Sequence, residues 1–272
     1  MVKQERLNFH ETFKPEKQYI SGILEIADGR TLTIDEISSL TGIPNGKSSG
    51  KVKPHLYYGQ YMGLYDFDIK NGNTTIERTP LGEIVYMEDM GLHEELTELL
   101  CHAMLVRNNA GASVWNTVIK KILPEYKNEV KKDILFKELE VIYEGKVTKK
   151  NFAPFTGSYE EMFSNINVLS MSTEKLIINS LDYNKEFIYL YAYILYEHWD
   201  EIFKGQEEIS STQLEEIGFG KIFGWNTQEE YKVLECMADK EIIRMNRQLM
   251  PYTILRLDDK SNLEKKLYSE LC

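Results

Sequence analysis

Lys47, Lys51, Lys53 and His55 fall close together, Tyr57, Tyr58 and Tyr61 follow, and no aspartate or glutamate occurs between Ile37 and Tyr65. The chain as a whole carries a formal net charge of -11. A solvated face usually mixes both signs, so a one-sign patch in an acidic chain points to a phosphate-facing surface. Lysines at the N-terminus of a recognition helix reach phosphate oxygens. Ser48, Ser49 and His55 could meet phosphates or base edges, and Arg78 could reach the adjacent backbone. Three or four phosphate contacts give modest, salt-sensitive affinity. The same residues also fit a module that docks only proteins, with lysines as solubilising charge. The three tyrosines suit packing at a core or groove edge better than base stacking.

Other chemistries fit less well. Gly42-Ile43-Pro44-Asn45-Gly46-Lys47-Ser48 has three residues between its glycines, where a phosphate-binding P-loop needs four. A helix precedes it instead of a strand, so turn chemistry explains it better. Asn8-Phe9-His10-Glu11-Thr12-Phe13 pairs an imidazole with a carboxylate, but it reads as a docked arm with Phe9 and Phe13 buried, since no second His or Cys lies nearby. Metal-ligand spacing is absent: His93 and His102 are isolated, and there is no CxxC or HxxxH. No GxSxG occurs, and Cys101 falls on an apolar helical face. Glu207-Glu208, Glu215-Glu216 and Glu229-Glu230 read as solvated helix faces. The reading therefore assigns no catalytic residue, no cofactor and no metal.

The elements that would position the basic segment are legible. Gln18 to Asp28 places Tyr19, Ile20, Ile23, Leu24 and Ala27 on one helical face, ended by Gly29. Thr33 with Glu36 three residues on forms a capping box opening a second helix, and Gly42 stops it. A third helix runs from about Lys51 or Pro54 to Met62, with Pro54 in its first turn. Leu64 to Asp68 and Thr74 to Arg78 read as strands around Asn71-Gly72-Asn73. Thr79-Pro80 starts another helix. That order is a winged helix-turn-helix. The middle reads as helical, with stripes beginning at Leu96, Val114 and Leu135, a looser connection from Lys146 to Ser172 holding a short helix at Tyr159 to Asn165, and a long aromatic helix from Lys185 to Phe203. Near the end, Ser210 with Gln213 and Thr227 with Glu230 open helices. Hairpin signals at Ile242 to Met245 and Thr253 to Leu257 complete a second winged-helix-like unit. Its acidic Gln228-Glu229-Glu230-Tyr231 would repel DNA and favour protein.

Composition sets the frame. Apolar residues at 42% and charged ones at 28% describe a globular chain able to bury a core. The longest apolar run, Phe187 to Tyr196, is too short to span a bilayer. The opening Met1-Val2-Lys3-Gln4-Glu5 has no apolar export region, and Cys101, Cys236 and Cys272 are odd in number and far apart, so a cytoplasmic setting without disulfides is expected. The expected organisation is mainly α (α+β): an arm plus winged helix over 1–90, a helical domain over 91–205 and a winged-helix-like unit over 206–272.

In order and spacing, several segments resemble the bacterial domain-of-unknown-function family 4007: His10-Glu11-Thr12-Phe13, Met62-Gly63-Leu64, Thr79-Pro80-Leu81-Gly82, Trp115-Asn116, Tyr159 to Leu169 and Gly220-Lys221-Ile222-Phe223. The resemblance implies an accessory component of genome-defence islands, often encoded beside DNA phosphorothioation genes, with a role in handling or restricting modified DNA. It supplies no catalytic residues. Together these readings predict a non-enzymatic protein that contacts double-stranded DNA through Lys47, Ser48, Ser49, Lys51, Lys53, His55 and Arg78 and docks protein subunits of a defence or modification complex, without a membrane. The alternative is a protein adaptor with no DNA contact. Homodimers are common among helix-turn-helix proteins.

Overall fold

Helix α1 (Lys17–Ile26) turns Ile20, Ile23, Leu24 and Ile26 inward, and the chain then enters a strand, β1 (Asp28–Thr33), instead of staying helical to Asp28. This computed structural model describes residues 7–47, 49–248 and 250–271. Ser48, Cys272 and residues 1–5, all used in the sequence reading, lie outside them. Strand β1 escapes sequence reading because it is polar and almost wholly exposed, with no apolar alternation. The predicted capping box is formed. Thr33 Oγ1 accepts from Glu36 N at 3.2 Å and Glu36 Oε2 accepts from Thr33 N at 2.7 Å, opening α2 (Ile34–Thr41). Helix α3 (Val52–Tyr61) carries Pro54 in its first turn. Strands β2 (Tyr65–Lys70) and β3 (Asn73–Arg78) pair around Asn71-Gly72, whose φ values of 52° and 81° are those of a type I′ turn. The antiparallel sheet has the order β1-β3-β2. Helix α4 (Pro80–Asp89) starts from the Thr79 cap.

The middle is not purely helical. After α5 (Glu95–Leu105), α6 (Ser113–Asn116) passes through a π-helical stretch, Thr117–Ile122, into α7 (Leu123–Glu125). There follow β4 (Glu129–Lys131), α8 (Lys132–Ile142), α9 (Lys149–Gly157), a second π-helical stretch (Ser158–Met162), β5 (Leu169–Met171) and β6 (Lys175–Ile178). Their sheet, β4-β6-β5, corrects the all-helical expectation. Its strands are too short for period-two alternation, and the turn at 172–174 has neither Gly nor Asn. The expected loose connection holds α9, opened by a Thr148–Asn151 capping box.

The long aromatic helix is realised as α10 (Ile188–Ile202), entered through a single 3-10 turn. Then come β7 (Glu208–Ser210), α11 (Ser211–Ile217), α12 (Phe219–Ile222), α13 (Thr227–Asp239), β8 (Ile243–Asn246), β9 (Thr253–Arg256) and α14 (Lys260–Lys266). The third sheet is β7-β9-β8. Each sheet thus repeats one scheme: a first strand, helices, then a hairpin whose second strand becomes central. The architecture is mixed α+β and helix-dominated. Helix α10 is the hub. It packs against α5, α11, α12, α13 and α14 and buries Tyr191, Tyr193, Tyr196 and Trp199. Each such ring removes roughly 150–250 Å² from water. No helix among the described residues is long and apolar enough to cross a membrane.

Candidate functional site

The structure disperses the expected basic surface. Lys51 is drawn into an internal tie: its Nζ donates to Glu16 Oε1 at 2.7 Å and lies over the rings of Phe13 and Tyr19. His55 is fully buried. Its Nε2 accepts from Glu16 N at 3.1 Å and its Nδ1 faces Lys51 O at 2.7 Å, so both ring nitrogens are used by a neutral imidazole. Burial lowers its pKa to about 4. Arg78 closes the end of α1. Its guanidinium donates to Leu24 O at 2.9 Å and to Glu83 Oε2 at 2.6 Å while stacking on Tyr86. Three of the seven expected contacts are therefore structural. An isolated sequence shows their charge but not the carbonyls and carboxylate that fold onto them. Lys47, Ser49 and Lys53 are exposed, and neither lysine pairs with a described carboxylate. Ser48 lies outside the described residues.

The exposed side of α3 forms one wall of a cleft of about 1110 Å³. Lys53, Tyr57, Gln60 and Tyr61 line it from α3, and Asp66, Phe67, Asp68 and Ile69 line it from β2. The far wall is built by α10 and α14. Tyr193 Oη lies 3.1 Å from both Glu197 Oε1 and Glu264 Oε1, which share its one donor hydrogen, and Lys260 Nζ binds Glu197 at 2.8 Å. Arg107 joins the walls. It donates to Met104 O at 3.0 Å and Tyr61 O at 3.1 Å, with Glu197 at 3.7 Å. These bonds satisfy carbonyls at the ends of α5 and α3, where helices leave acceptors unpaired. Sequence reading missed this cleft because its parts come from four distant segments, and no local spacing marks Arg107, Tyr193, Glu197 or Lys260.

Behind the cleft, a polar cluster fixes the loop 108–111. Glu201 accepts from Asn108 N at 2.7 Å and Ala110 N at 2.8 Å. Lys120, turned inward by the π-helical stretch, places Nζ 3.2 Å from His198 Nδ1 and 3.3 Å from Asn108 Oδ1. His198 donates through Nε2 to Ala103 O at 3.0 Å. Burial lowers the Lys120 pKa to about 7. Through Asn108 and Ala103 the pair braces the loop.

The arm is docked only in part as expected: Phe9 packs edge-on against Tyr58 and Tyr61, with ring centroids 4.9 and 4.7 Å away, and His10 is buried against it, but Phe13 is only half-buried and His10 Nε2 has no hydrogen-bond partner among the described residues. The segments that carry the family resemblance are joints. Thr79 Oγ1 donates to Gly63 O at 2.5 Å and Thr79 N to Leu64 O at 3.1 Å. Trp115 Nε1 donates to Ser158 Oγ at 3.2 Å, and Ile222 O meets His102 Nε2 at 3.0 Å.

No family model matches the chain, so the resemblance to family 4007 stands on these segments alone, and no curated protein matches it either. Two solved structures share the fold. A crystal structure of magnesium ion-bound SspB aligns over 98% of this chain and 90% of its own, with a TM-score of 0.73 and 14% identity. Another SspB crystal structure aligns over 97% and 86% at the same TM-score and identity. At that identity the likeness establishes the fold. Among the described residues no three His, Cys, Asp or Glu side chains gather where they could hold a metal ion.

Proposed function

We propose that this chain is a non-catalytic accessory protein of a bacterial genome-defence or DNA-modification assembly and that it works by holding protein partners. The observation that carries this reading is the internal use of Lys51, His55 and Arg78, which leaves an acidic chain with few free cations beside α3. The defence context is the one that the family resemblance implies; the fold, shared with SspB over nearly the whole of both chains, is the scaffold on which the partners would be held. We read the first and last helix–sheet units as winged helices. Support comes from the order helix, strand, helix, helix, hairpin in the first, and from the same strand order in the last.

Direct duplex contact is the second reading. It is favoured by the exposure of Lys47, Ser49 and Lys53 within the acid-free stretch that also holds Ser48. Fluorescence anisotropy with a labelled duplex across a salt series separates the two. The partner-holding reading expects binding no tighter than the non-specific range, a Kd of about 10⁻⁴ to 10⁻⁶ M at physiological salt. Tighter, saturable binding that disappears in a Lys47→Glu/Lys53→Glu variant would put the DNA reading first.

A further inference from the structure

Strand β2 is an edge strand, and its edge opens into the cleft. In the order β1-β3-β2 only one side of β2 is paired. Four consecutive residues, Asp66 to Ile69, line the concavity. Side chains of a strand alternate between faces, so an unbroken run in one lining means that the cleft meets the strand along its edge. The register identifies the backbone groups presented there. Lys70 and Asn73 close a two-residue hairpin, and such a closing pair exchanges both backbone bonds. Alternation then commits Asp68 and Asp66 to β3 and turns the N–H and C=O of Phe67 and Ile69 away from it. Ile69 is 42% exposed, an apolar side chain beside an open row of donors and acceptors.

The charge of the cleft selects the occupant. Asp66 and Asp68 share one face of β2, Asp66 accepting from Gln60 Nε2 at 3.1 Å and Asp68 in a solvent-exposed pair with Lys70, and Glu197 and Glu264 stand on the opposite wall. Arg107 and Lys260 are already paired with Glu197, which leaves Lys53 as the cation of the lining without a described acidic partner. Phosphate is disfavoured there, and a second copy of the same acidic edge is repelled. We propose that the cleft takes an extended segment of a protein partner, alternating basic and apolar side chains, which adds to β2 as a fourth strand. The main chain of the segment bonds Phe67 and Ile69, its basic side chains face Asp66 and Asp68, and its apolar ones lie against Phe67, Ile69 and Tyr57. This rests on the partner-holding reading and names the partner's chemistry.

The test is a calorimetric titration of the full chain with a synthetic peptide alternating valine and arginine, accompanied by amide chemical shifts. Two control peptides are an alternating valine–glutamate sequence and the valine–arginine sequence N-methylated on alternate backbone nitrogens. The expected result is binding that weakens at least about tenfold for each control and for an Asp66→Lys/Asp68→Lys variant, with the Phe67 and Ile69 amides shifting most. Equal binding of the N-methylated peptide, shifts that bypass those two amides, or no binding at all would overturn the proposal. The duplex titration distinguishes the failures: a silent peptide with weak DNA binding removes the edge site alone, whereas tight duplex binding removes the partner-first reading beneath it.

Discussion

Helices α3 and α13 occupy the same place in their units, each leading into a hairpin whose second strand is central. Each also carries an ionisable group at its fourth residue, fully buried in α3 and half-buried in α13, and of opposite kind. In α3 it is His55, accepting from Glu16 N; in α13 it is Glu230, accepting from Gly220 N at 2.8 Å. In both units the side chain takes a backbone N–H from the segment before it. The slot therefore calls for an acceptor and tolerates either chemistry, which makes it a structural joint rather than a recognition site. What differs is the charge that burial suppresses. Burial lowers His55 to about 4 and raises Glu230 to about 7.

The largest effect that would break the comparison comes from glycines at the joints. A Cβ on Gly82 would collide with the backbone carbonyl of Leu64, which cannot yield because it accepts from Thr79 N. A Cβ on Gly220 would meet the Glu230 side chain at 3.1–3.2 Å, which can give. Gly82→Ala is expected to cost about 3 kcal/mol or more and Gly220→Ala less than about 1 kcal/mol, read from urea midpoints.

The pH responses should run in opposite directions. An unfolded histidine titrates near 6.5, above the folded value of about 4, so the contribution of His55 is complete above 6.5 and is lost as pH falls toward 4. That change is worth roughly 3 kcal/mol. An unfolded glutamate titrates near 4.5, below the folded value of about 7, so Glu230 contributes most below 4.5 and loses that contribution as pH rises to 7. Partial exposure reduces this to on the order of 2 kcal/mol. Hydrogen exchange, corrected for intrinsic rates, should show β2 and β3 weakening on acidification and β8 and β9 weakening on neutralisation. Glu230→Gln, which keeps an acceptor for Gly220, should flatten the second trend and leave the first.

The smallest effect separates two neighbouring lysines. Lys51→Glu places like charge against Glu16 and should lower stability by about 1 kcal/mol, whereas Lys53→Glu should change it by less than about 0.5 kcal/mol. A Lys51 variant is for that reason a poor probe of DNA contact. Equal stability losses at the two positions would contradict the internal role of Lys51.

Much of the fold was legible where a local signal carries its own physics. The Thr33–Glu36 and Ser210–Gln213 capping boxes, the Asn71-Gly72 turn, the Cys101 core position and the aromatic stripe of α10 all follow from interactions within a few residues. The strands β1, β4, β5, β6 and β7 were illegible, since four of them have three or four residues and the other is polar but for Leu32. Their pairing depends on partners far along the chain, which no window contains. The candidate site divides in the same way. The sequence by itself determined that α3 would carry positive charge and tyrosines beside an acid-free loop. Tertiary structure decided which of those charges remain available. Glu16 and the end of α1 close on Lys51, His55 and Arg78, while α10 and α14 face the remaining side of α3 across the cleft. Charge is a property of a residue, but its availability depends on what long-range packing places within hydrogen-bond reach.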